Sequence, residues 1–86
     1  MKGTTESGFK FSIDERALNN MELIEAIAAA DKNASNLPKA LNLLLGEKQK
    51  LALYEHVREK DGIVPSDKVQ EEIIDIFHKV GEKEKN

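Results

Sequence analysis

The chain has 86 residues, 40% of them hydrophobic and 34% charged, with a net charge of −3 and no cysteine. This is one small folded domain with a modest core and neither disulfides nor thiolate metal sites to staple it, so it rests on helix packing, on copies of itself or on a partner. Thirteen basic against 16 acidic residues leave no basic excess for gripping phosphate, and no apolar run approaches a membrane span or a signal-peptide core.

Residues 1–8, MKGTTESG, are small and polar and read as a mobile tail. In the following FKFSI, Phe9, Phe11 and Ile13 alternate with Lys10 and Ser12, the period of a half-buried strand. No second strand is evident apart from the two-residue Ile63-Val64. Two readings stay open: an extended arm lying across the helices, or a strand that pairs with a second copy or a partner. On the second reading Phe9, Phe11 and Ile13 are partner-binding residues.

Asp14 is a good N-cap for a first helix running from about Asp14 to Ala30. Ala17, Met21, Ile24 and Ala28 fall on one face, with Leu18 on one flank and Leu23 and Ile27 on the other. The apolar arc is wider than one neighbouring helix needs, which makes Leu23 and Ile27 further candidates for a partner surface. DKNASN is a loop of turn formers. Leu37-Pro38 then opens a second helix, 38–45, in which Leu37, Ala40, Leu41, Leu44 and Leu45 keep helical spacing.

Gly46 suits both the end of that helix and the cap of the next, so the spacing predicts a corner and a third helix over 47–60; one bent helix through Gly46 is the alternative. The third helix carries Leu51, Leu53, Tyr54 and Val57 on one side and ends at Asp61-Gly62. A fourth starts at Pro65 or Ser66 and runs to about Val80, with Val69, Ile73, Ile76, Phe77 and Val80 as its stripe and Gly81 as its end. The expected fold is therefore all-α. It is a compact four-helix domain over 9–81 with a short N-terminal extended strand or arm and mobile tails at 1–8 and 82–86. The core is expected around Met21, Ile24, Leu41, Leu44, Leu53, Val57, Ile73, Ile76 and Phe77.

Chemistry is hard to find in this pattern. Asp75 and His78 have the spacing of a bundle metal site, but they lie on the polar side of the last helix and no matching ligands occur elsewhere. Glu71, Glu72 and Asp75 read as solubilising charges, because acid–base work needs carboxyls in a partly dry cleft. Ser12, Ser35 and Ser66 have no histidine near them in sequence, and there is neither a GxSxG elbow nor a glycine-rich phosphate loop. A helix-turn-helix through Gly46 would open its second helix with Glu47-Lys48-Gln49-Lys50, then turn apolar and carry Glu55 and Glu59, and the acidic total also argues against DNA. The expectation is a binding protein with no enzymatic activity, no cofactor, no metal, no nucleic-acid partner and no membrane partner.

Four blocks, FSIDERALNNMELIEAIAAAD, LPKALNLLLGEKQK, LYEHVREKDGIVP and EEIIDIF, resemble the small tail assembly chaperones of long-tailed bacteriophages of Gram-positive hosts, over about residues 9–80. LLLGEKQ and HVREKDGIVP carry most of the resemblance. It implies a non-enzymatic protein of the host cytoplasm that acts in many copies. Such a protein binds the long helical tape measure protein, keeps it soluble and helps tail tube protein polymerise around it. No catalytic residues come with the family. Such chaperones are often made in two lengths by a ribosomal frameshift, and this chain would be the short form. The other reading of the same features is a small helical adaptor or a structural subunit of a virion.

Overall fold

The structure, a computed structural model, describes residues 1–84. Among them are two short strands, five α-helices and one 3-10 turn, in the order β1 (Lys2–Thr4), β2 (Lys10–Ser12), α1 (Glu15–Leu18), α2 (Met21–Lys32), the 3-10 turn (Ala34–Asn36), α3 (Leu37–Leu45), α4 (Glu47–Val57) and α5 (Ser66–Glu84). The domain is mostly helical, with five helices rather than the expected four.

The extra helix comes from a break in the first predicted one. Asp14 caps α1 as expected, its carboxylate accepting from Arg16 N at 2.9 Å. Asn19 ends that single turn, and Asn20 starts a new helix with extended backbone and its side-chain oxygen on Glu22 N at 2.9 Å. An Asx side chain competes with the backbone for such amides and so favours caps over helix interiors.

The break also re-aims α2. Leu23, Ala26 and Ala30 are its buried residues, while Met21 and Ile24, expected in the core, are 63% and 52% exposed. The corner at Gly46 is present as expected: its φ of 82° lies in the left-handed region that glycine adopts without a Cβ penalty. α4 is shorter than expected. Its C-cap Arg58 turns extended, and the guanidinium ties Glu55 to the Gly62 carbonyl across the following loop. Leu51, expected on the apolar side of α4, is 51% exposed, and Val57 is half-buried. Gly81 does not end α5; its φ is not positive and the helix continues to Glu84. Of the expected tail 82–86, residues 85 and 86 lie outside the described residues.

The largest correction is at the N-terminus. Residues 1–8 were expected to be a mobile tail, yet Lys2–Thr4 form the missing strand partner, antiparallel to β2 with Gly3 opposite Phe11. A tight turn closes the hairpin through Thr5 and Gly8, whose φ is 96°. The far end is fastened by Ile13 N donating to Met1 O and by the terminal ammonium donating to Ile13 O at 2.9 Å. The outer edge of β2 is blunted by one side chain: Gln49 accepts from Ser12 N at 2.8 Å and donates to Ser12 O at 2.7 Å. An edge strand satisfied in this way offers little for another chain to pair with.

With the hairpin folded back, the alternate residues Phe9, Phe11 and Ile13 join α2, α3, α4 and α5 in one core. The Phe11 ring lies over Gly3, and a Cβ on that glycine would stand 2.6 Å from the ring's Cζ atom. Gly3→Ala is therefore expected to destabilise the domain by about 1–3 kcal/mol through overpacking. Gly81→Ala, where nothing lies within 4 Å, should stabilise α5 by up to about 1 kcal/mol. Urea titrations of both variants check this, and a Gly3→Ala midpoint equal to that of the parent would mean the ring does not sit on β1.

Candidate functional site

Two features stand out from the surface: a polar clamp under the hairpin turn, and an apolar groove on the other side of α5. In the clamp, the stripe Val69, Ile73, Ile76 and Val80 turns the intervening Glu72 inward, where it is only 7% exposed. Its carboxylate accepts from Thr5 Oγ1 at 2.8 Å and from Ser7 Oγ at 2.9 Å. Thr5 is itself buried, and its hydroxyl oxygen accepts from Phe9 N at 3.1 Å. Asp75 accepts from Glu6 N, and Lys79 reaches Glu6 at 2.8 Å, so consecutive turns of α5 grip the hairpin loop. Glu72 and Asp75 were expected to be solvated charges. The buried one satisfies hydroxyls, which is what a carboxylate away from water requires.

Ser7 Oγ also lies 3.0 Å from His56 Nε2, whose ring tilts against Phe9 with 5.5 Å between centroids. A hydroxyl has one proton, and the Glu72 carboxylate, which only accepts, takes it. On the tautomer protonated at Nε2 the imidazole donates to Ser7, and the trio ties the hairpin turn to α4 and α5. Among the described residues no group of three or more His, Cys, Asp or Glu side chains is placed to hold a metal ion. No described helix is long and apolar enough to cross a membrane. Partial burial raises the Tyr54 phenol above its ordinary 10.0, and Lys50 Nζ lies 5.9 Å from its ring centre.

The groove has a simple origin. α2 packs on α3, and α5 packs on β1 and α4, so α2 and α5 barely approach one another. The space between them, about 420 Å³, is floored by Leu37 and Ala40 of α3 and walled by Ile27, Ala28 and Asp31 on one side and Gln70, Ile73 and Ile74 on the other. Ile74 is 60% exposed.

Of the five residues expected to bind a partner, Ile27 alone lines this groove, half-buried at its wall. Phe9, Phe11, Ile13 and Leu23 are 6%, 4%, 2% and 1% exposed and belong to the chain's own core, so none of them offers a surface. The strand face that motivated self-association is used up inside the monomer. Ile74 was missed because it falls outside the buried stripe of α5. An isoleucine off the stripe of an amphipathic helix was itself the available signal. Comparison of the chain with protein-family models, with curated proteins and with solved structures gives no match.

Proposed function

We propose that the chain is a non-enzymatic tail assembly chaperone of a long-tailed bacteriophage. In this role it works in the host cytoplasm, binds the tape measure protein, holds that helical chain soluble and promotes growth of the tail tube around it. The observation that carries the reading, beside the sequence resemblance over residues 9–80, is the open apolar groove between α2 and α5. A helper that must later release its client needs a surface with few anchors and no deep enclosure. A groove with one well exposed isoleucine and a half-buried one fits that demand better than a closed pocket does.

Co-expression with fragments of a phage tape measure protein tests the reading. Capture is expected, and it should survive moderate salt because buried apolar area is little screened. Absence of capture by every fragment, or retention on duplex DNA with a steep salt dependence, would reject it.

A further inference from the structure

The apolar surface of α2 does not stop at the groove wall. Successive residues turn by about 100° around a helix, so Ile27, Asp31, Ile24, Ala28 and Met21 follow one another around α2, outward from its buried face. Met21, Ile24 and Ala28 are exposed. At about 1.5 Å per residue the strip from Met21 to Asp31 is about 15 Å long, close to three helical turns. Across the groove, α5 presents Ile74 and Gln70.

The charges at the edges have one dominant sign. Glu25 lies beyond Met21 on α2, Asp31 sits in the wall itself, and Asp67 and Glu71 lie beyond Ile74 on α5; all four are exposed. Against them stands Lys32 at the end of α2. Lys68 lies on the hairpin side of α5, with its ammonium 3.9 Å from Glu71.

We propose that this groove receives one amphipathic helix of another protein, with its apolar stripe flanked by Lys or Arg. The proposal rests on the reading of the chain as a binder of a helical client and adds which face binds and what charge the client carries there. A second copy is a poor occupant. A two-fold contact would set the acidic edges of this face against themselves in a chain already at −3. A helix with apolar residues at i, i+3, i+4, i+7 and i+11 spans a three-turn strip, and basic flanks meet the carboxylates.

Two synthetic peptides of about 18 residues, long enough to hold a helix, test this against the full chain by fluorescence anisotropy. Both carry the same Leu/Ala stripe; one has Lys flanks and the other Glu flanks. The Lys peptide is expected to bind at least about tenfold tighter at low salt, with the gap narrowing as ionic strength rises. Ile74→Ser should weaken the Lys peptide by about tenfold while leaving the melting temperature in place, since the side chain is 60% exposed. Equal binding of the two peptides, or Lys-peptide binding untouched by Ile74→Ser, overturns the proposal. So does a dimer in sedimentation that Ile74→Ser dissociates, which would make a second copy the occupant. Tape measure capture that survives Ile74→Ser removes the groove assignment but keeps the proposed function. Peptide binding that follows the expected pattern without any tape measure capture keeps the groove and removes that function.

Discussion

Ile76→Ala is expected to cost about 2–5 kcal/mol, and Phe77→Ala, one residue on, distinctly less. On size alone the order would be reversed, because a phenylalanine loses more atoms. Burial decides it. Ile76 is 0% exposed at the centre of the α5 stripe, whereas Phe77 is half-buried on the flank towards the groove. Truncating Ile76 leaves a cavity that the other members of the core, Leu41 and Leu53 among the most buried, cannot fill without moving backbone. Truncating Phe77 opens a space that water can enter. His78→Ala, on the exposed side, should stay within about 0.5 kcal/mol. Urea titrations read all three as midpoint shifts at constant slope. A Phe77→Ala loss as large as that of Ile76→Ala would show that α5 is rotated from the position described.

The parts of this fold that were legible in the sequence are those fixed by a residue with one local job. Gly46 has to be a corner because its neighbours on both sides keep helical spacing and it alone tolerates a φ of 82°. Asp14 has to be a cap because a strand pattern ends just before it and a helix pattern starts just after. The break at Asn19-Asn20 was hidden by a coincidence of spacing. Ala17, Met21, Ile24 and Ala28 stay in helical register across it, so the apolar pattern runs on while the backbone does not. The rotation of α2 was hidden for a related reason. A helix apolar over much of its circumference does not say which third faces inward, and tertiary packing chose Leu23, Ala26 and Ala30. This choice put Met21 and Ile24 outside and so made the candidate site, which could not be seen before the core was known. Glu72 carried a signal that charge obscured: it stands three residues after Val69 and four before Ile76, inside the buried stripe. Its partners Thr5 and Ser7 lie 67 and 65 residues away, beyond the reach of any local pattern.

Deleting residues 1–13 is expected to abolish the cooperative melt, not to leave a stable helical remainder. The deletion removes Phe9, Phe11 and Ile13 from the core, and burial of such side chains is worth about 1.5–3 kcal/mol each, or about 5–9 kcal/mol for the three. At about 0.05–0.15 kcal/mol per residue, a domain of this length holds about 4–13 kcal/mol in total. The loss is therefore of the same size as the whole margin. The polar side of the account points the same way. Thr5 and Ser7 leave with the hairpin, so the Glu72 carboxylate loses its hydroxyl donors and must draw water to a place now walled by Val69 and Ile76. Far-UV circular dichroism of the truncated chain should show reduced helix content and a broad, shallow thermal transition. Phe11→Ala in the full chain supplies the graded control, since it removes one of the three side chains and should lower the midpoint while keeping the transition sharp. A truncated chain that melts cooperatively near the parent temperature would mean that α2 to α5 close a core without the hairpin. In that case Phe9, Phe11 and Ile13 would regain the role of an arm free to reach another molecule.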